Sequence, residues 1–197
     1  RGVIDTVARR HCSIALSDCI QDQPIDTDLW LVFSPVKRAR IDFIAAKATE
    51  LGVSALVPVL TEHTAVSRVN IDRIRANAIE AAEQCGRLGV PHIHDTSSLA
   101  SLLQNWPPER RLLVCDETGA GTPIARTLRD LAPEEAAAPW AILIGPEGGF
   151  SASELDLLAE KTIVTRVGLG PRILRADTAA VAALSCWQAV LGDWRND

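Results

Sequence analysis

The stretch "AILIGPEGGFSASEL" (residues 141–155) decides how this chain folds. An apolar run that ends in a glycine turn and passes at once into a helix start is the pattern of a strand buried on both faces of a sheet. Gly145, Gly148 and Gly149 permit close approach of backbone, Pro146 stiffens the turn, and Ser151 with Glu154 forms a capping box for the next helix. In a parallel sheet ligands bind beyond the carboxyl ends of the strands, so this turn is the first candidate site. It carries one acidic side chain, Glu147, whose charge would repel a phosphate, and it contains neither Gly-Lys-Ser/Thr nor Gly-x-Gly-x-x-Gly. A neutral or cationic ligand fits better.

Outward from this stretch, strands and helices alternate. "LWLVFS" from Leu29 is a short buried strand, after which Ile41, Ile44, Ala45, Ala48 and Leu51 keep helical spacing until Gly52. "SALVPVL" from Ser54 is the next strand. A second helix from near Asp72 places Ile74, Ala78, Ala81, Cys85 and Leu88 on its apolar stripe, with Gly89 as its stop. A short strand near His92, "RLLVCDE" from Arg111, "WAILIG" from Trp140 and "TIVTRVGLG" from Thr162 follow, and a final helix spans about Thr178 to Leu191. This alternation predicts an α/β fold, a mostly parallel sheet with helices on both faces. Residues 1–28 read differently: "GVIDTVARRHCSIALSD" from Gly2 alternates as a strand pair does, like the tail of a small β module, so the predicted division is 1–28 and 29–197.

The 197 residues are 47% hydrophobic, enough for a full core, and the net charge of −5 lacks the basic excess of a non-specific nucleic-acid binder without excluding a local basic face. No apolar run approaches a membrane span and no charged-then-apolar stretch resembles a signal peptide, so a soluble cytoplasmic protein is expected. The five cysteines are scattered without a Cys-x-x-Cys pair, which predicts buried reduced thiols rather than disulfides or zinc. His92 and His94 offer two ligands from one strand but no third, so no metal is expected. The chain begins at Arg1 and contains no methionine, as a fragment of a longer protein would.

A second glycine turn, "VGLGPRILRADTAA" from Val167, again follows a buried strand. Arg172 and Arg175 flank Ile173 and Leu174, and Asp177 with Thr178 offers a cap for the last helix. Two such turns suggest one pocket. On the second helix Arg73, Asn77, Glu80, Gln84 and Arg87 share a face, which is either a solvated surface or a functional one.

"IGPEGGFSASEL" followed by "VGLGPRILRADTAAVAAL", with "KATELGVSALVPVLTEHTAVSR" and "EAAEQCGR" upstream, closely resembles the signature of the RsmE family. These bacterial SPOUT-class methyltransferases act on N3 of a uridine in 16S ribosomal RNA. The likeness covers residues 29 to 191. It implies a SPOUT-type knotted sheet, a homodimer formed through the knotted region, and an N-terminal PUA-like RNA-binding module of which residues 1–28 would be the last strands. It implies S-adenosylmethionine as cofactor and 16S rRNA of the small ribosomal subunit as partner, with no metal and no membrane. The chain departs from the family pattern at Asp177, where Glu is usual, at Ala176, where Thr is usual, and at Cys85, where Ser is common.

By that resemblance, the cofactor would lie against Leu143, Ile144, Gly145, Pro146, Glu147, Gly148 and Gly149 of the first turn. From the second it would meet Val167, Gly168, Leu169, Gly170, Arg172, Ile173 and Leu174. Losing the N3 proton spreads negative charge over O2 and O4 of the uracil, which calls for a cation. Arg175, or Arg172, is that candidate, and Asp177 or Glu147 would accept the proton, unless Glu147 only braces its loop. Glu80, Gln84 and Arg87 match the family's "EQ.GR" element and would bind RNA or brace a dimer, and Lys37, Arg38, Arg40 and Arg68 would meet phosphates. Another RNA acceptor, such as a ribose 2′-hydroxyl, and a non-catalytic RNA-binding assembly factor are the alternatives.

Overall fold

The computed structural model describes residues 1–23, 27–66, 68–119 and 121–196, with Arg38 and Asn196 as backbone only. The chain runs β1 (Gly2–Val7), β2 (Cys12–Leu16), β3 (Leu29–Phe33), α1 (Arg38–Glu50), β4 (Ala55–Leu60), α2 (Ile71–Cys85), β5 (His92–Ile93), β6 (Ser97–Ser98) and α3 (Leu99–Gln104). It continues with β7 (Arg111–Cys115), β8 (Thr122–Pro123), α4 (Ile124–Arg129), α5 (Pro133–Ala136), β9 (Trp140–Ile144), α6 (Ala152–Ala159), β10 (Val164–Gly168) and α7 (Ala176–Val190). β1 and β2 pair with each other as an antiparallel hairpin. The remaining strands form one eight-stranded sheet in the order β5-β4-β3-β9-β7-β10-β8, with β6 beside β4. Every pairing in that sheet is parallel.

The central strands are apolar on both faces because both faces are covered. In β9, Trp140, Ile142 and Ile144 point into a core shared with α1, α2, α4 and α7, while Ala141 and Leu143 point into a second core beneath α3 and α6. β10, late in the chain, lies between β7 and β8, so the β7–β8 connection crosses its carboxyl end. From there α7 runs back to α1. Gln188, fully buried, donates from Nε2 to the Leu51 carbonyl at 2.6 Å and accepts from the Asp193 amide at 3.1 Å.

Three expectations change. The last helix begins at Ala176, because Arg175 holds the extended cap conformation and its carbonyl accepts from the Ala179 amide at 2.7 Å. Asp177 therefore stands inside the first turn, accepting from the Thr178 amide at 2.8 Å, and does not cap it. α2 stops at Cys85, since Gly86 adopts the left-handed conformation (φ 73°) that Gly89 was expected to supply. Cys85 and Leu88 consequently fall outside the buried stripe. Finally, only Cys115 among the thiols is buried; Cys186 is half-buried, and Cys12, Cys19 and Cys85 are exposed, all unpaired.

Two measurements follow from this packing. Gln188→Leu leaves the Leu51 carbonyl and the Asp193 amide without their partner, and should cost about 1–3 kcal/mol of unfolding free energy in urea titration. At the amino end of the sheet, His94 packs against Trp30 at 5.0 Å and His92 at 4.6 Å between ring centroids. Burial, and then the neighbouring His92 and Arg110, hold the His94 imidazole below its ordinary value, against a weaker pull from Asp95. The unfolded chain then binds that proton more readily. Stability should be complete above about pH 6.5 and fall as pH drops below it. Comparing urea midpoints at neutral and acidic pH should show the decline, and His94→Gln should reduce it.

Candidate functional site

β9, β7 and β10 are neighbours in the sheet, so the loops leaving their carboxyl ends converge. They enclose a cavity of about 640 Å³. Ile144, Gly145, Pro146 and Glu147 form one wall, Gly168 to Ala176 with Ala179 a second, and Cys115, Asp116, Glu117, Gly119, Gly121 and Pro123 a third.

The first wall is locked from behind. The Gly149 amide donates to the Pro146 carbonyl at 3.0 Å, and Gly149 takes a left-handed φ of 71°. The His63 Nδ1 lies 3.1 Å from the Gly148 carbonyl and 3.0 Å from that of Gly149. Both are acceptors, so Nδ1 carries the proton and donates. Glu154 completes the expected capping box with Ser151, and its other oxygen accepts from the Glu62 amide at 2.9 Å, tying α6 to the loop after β4. Glu147 is ion-paired with Arg40 of α1.

The third wall is absent from the sequence reading. Its signal was present in "VCDETGAGTP" from Val114, a buried run that ends in glycines as the other two do. A Cβ at Gly121 would collide with the backbone of Val167, so the loop crosses β10 with main chain against main chain. Asp116, almost fully buried, accepts from the Thr118 amide (2.9 Å), the Thr118 hydroxyl (3.0 Å) and Arg166 (2.5 Å). Burial opposes its charge, yet these donors together hold its carboxyl below the ordinary value. Cys115 on the cavity floor is a protonated thiol, pushed up to about 12 by burial and then by Cys186, and is no nucleophile at neutral pH.

The second wall carries the basic residues. Arg172, Ile173 and Arg175 are exposed at the mouth, Ile173 at 85%, while Leu174 packs against the core. Asp177 stands 3.8 Å from the Arg40 guanidinium.

Several expected cofactor contacts lie elsewhere. Leu143 points into the core beneath α3 and α6, Val167 is fully buried, and Gly148 and Gly149 present their carbonyls to His63, so these four do not line the cavity. The expected face of α2 divides as well. Arg73 and Asn77 bind Asp42, and Arg87, beyond the helix end, donates to the carbonyls of Thr49 (2.9 Å) and Val53 (2.8 Å) as an internal strut. Glu80 and Gln84 are exposed, as are Lys37 and Arg68. The side chain of Arg38 lies outside the described residues, and Arg40 is engaged by carboxylates rather than open to phosphate. Among the described residues no cluster of three or more His, Cys, Asp or Glu is arranged to hold a metal, and no helix is long and apolar enough to cross a membrane.

The chain is similar to proteins of known kind over nearly all of this fold. It is 29% identical over 182 residues to the "Ribosomal RNA small subunit methyltransferase E" of Rickettsia conorii, covering 92% of this chain and 72% of that one. The protein of the same name from Bacillus subtilis is 33% identical over 156 residues, covering 76% of this chain and 60% of its own length. The crystal structure of a ribosomal RNA small subunit methyltransferase E from Neisseria gonorrhoeae, bound to S-adenosyl methionine, superposes with a TM-score of 0.76 at 28% identity, over 95% of this chain and 77% of that one. The profile of the RNA methyltransferase domain matches residues 23–188, leaving out only the hairpin and the last residues, and the chain belongs to that family.

Proposed function

We propose that this chain carries the catalytic domain of an RsmE-type enzyme, which moves a methyl group from S-adenosylmethionine to N3 of a uridine in 16S rRNA of the small ribosomal subunit, in the cytoplasm. The observation that carries the reading is the cavity itself, open at the carboxyl ends of three parallel strands and walled by backbone at Gly121, Gly145, Gly168 and Gly170. Its size suits a cofactor of this class. Main-chain groups near Gly145, Leu169 and Leu174 would hold the adenine, and Ile144, Leu169, Leu174 and Ala179 would keep water from it. When bound, S-adenosylmethionine supplies a methyl group on a sulfonium, an electrophile that needs a well-placed nucleophile more than further activation.

The chain's own residues then have two tasks. Arg175, exposed at the mouth, would set its guanidinium against the negative charge that spreads over O2 and O4 as N3 loses its proton. Arg172 stands by it as the second cation. Asp177 and Glu147 are the candidate proton acceptors, and both are engaged by Arg40. The target uridine must also be unstacked, and exposed Lys37 and Arg68 are suited to the phosphates beside it.

The architecture around the site supports three further parts of this reading. The β7–β8 connection passes over the end of β10, and the segment leaving β10 must pass that loop to reach α7, as in the knot of the SPOUT class. Ile173, apolar and open beside the cavity, is the kind of residue a second copy would cover in a homodimer. The hairpin exposes Val3, Ile4, Val7, Ile14 and Leu16, more than a two-stranded unit bears alone, which suits the edge of a larger PUA-like module.

Calorimetry should find S-adenosylmethionine and S-adenosylhomocysteine binding to this chain, with ATP binding absent. Gly145→Trp, which drives a side chain into the Phe150 ring, should abolish the binding, whereas ATP binding as tightly as the sulfonium would contradict the reading. With small subunits as substrate and cofactor saturating, Arg175→Ala should lower turnover by about a hundredfold while cofactor affinity changes little. Unchanged turnover would remove Arg175 from the chemistry.

A further inference from the structure

α1 opens with charges of the wrong sign for its position. The amino end of a helix favours carboxylates, yet its first turn holds Arg38 and Arg40 and no acidic residue. Arg40 directs its guanidinium away from the helix and toward the cavity walls. It is paired with Glu147, in the turn that follows β9, and its Nε stands 3.8 Å from the carboxylate of Asp177, in the first turn of α7. The Arg40 and Asp177 side chains are 25% and 21% exposed and Glu147 is 51% exposed, so the Asp177 side of this three-charge group is better shielded from water than the Glu147 side.

Glu147 adjoins Gly145 and Pro146 of the first wall, and Asp177 adjoins Leu174 and Arg175 of the second. The two walls belong to segments that share no strand pairing, since β9 and β10 are separated in the sheet by β7. We propose that Arg40 is a positioning residue that ties these two walls together from outside the cavity, setting its width and the direction of Arg175. A planar guanidinium presents several donors in a fixed fork and can serve two carboxylates at once. A lysine in its place keeps the charge but lacks the planar fork, and so holds the two carboxylates less firmly. The inference rests on reading the cavity as the cofactor site.

The test compares the parent chain with Arg40→Ala and Arg40→Lys, using calorimetry with S-adenosylmethionine and amide hydrogen exchange without it. Arg40→Ala should weaken cofactor binding by about tenfold, and Arg40→Lys should recover part of that loss. In the absence of cofactor, exchange should quicken both in the 146–149 turn and in the first turn of α7, while β7 and β9 stay protected. Parent-level affinity in Arg40→Ala, or exchange unchanged in either turn, would overturn the proposal. Should Arg40→Ala fail to fold, the pair Glu147→Gln with Asp177→Asn removes the same bridge from the other side and must show the same losses. A parent chain that binds no S-adenosylmethionine would defeat the functional reading instead, and the exchange comparison would still decide for or against the bridge.

Discussion

The contact between Gly121 and the backbone of Val167 is the constraint on which the site depends. β8 lies on the far side of β10 from β7, so the chain between them has to cross the end of β10. It does so without a side chain in between, because any Cβ at residue 121 would strike main chain. Lifting that loop would open the third wall of the cavity and remove the surface against which Gly168 rests. In a parallel sheet covered on both faces, ligands are received beyond the carboxyl ends of the strands, which is where this cavity opens.

Charge is arranged around this frame so that most carboxylates near the cavity are already satisfied. Asp116 is held by Thr118 and Arg166, and Glu147 and Asp177 by Arg40. The basic residues Arg172 and Arg175 stand at the mouth instead, exposed to solvent. The negative charges, paired with Arg40 and Arg166, serve mainly to hold the walls, and Arg172 and Arg175 face the solvent. This division explains how a chain with a net charge of −5 can still offer a cationic face at one point.

Much of this was legible in the sequence because the relevant signals are local. The buried strand before Gly145, the capping box at Ser151 and Glu154, and the helical spacing of Ile41, Ile44, Ala45 and Ala48 each depend on neighbours a few residues away. What escaped depends on distant contacts. The His63 link to Gly148 and Gly149 joins residues from different loops, and Arg87 looked like part of an exposed face although it reaches carbonyls in α1 and just before β4. The end of α2 is ambiguous in the sequence for a local reason, since Gly86 and Gly89 both suit a stop and only the left-handed conformation of Gly86 separates them. The residue type of Asp177 suits a cap before Thr178, yet the helix begins two residues earlier than that, at Ala176, and turns the carboxylate toward Thr178 and Arg40.

The most direct test of the proposed activity is to incubate the chain with methyl-labelled S-adenosylmethionine and small ribosomal subunits, digest the RNA to nucleosides, and locate the label by mass spectrometry. The account predicts label in N3-methyluridine and its absence when Gly121→Val disrupts the crossing of β10. Label on a ribose hydroxyl, or none in RNA while the cofactor still binds, would contradict it.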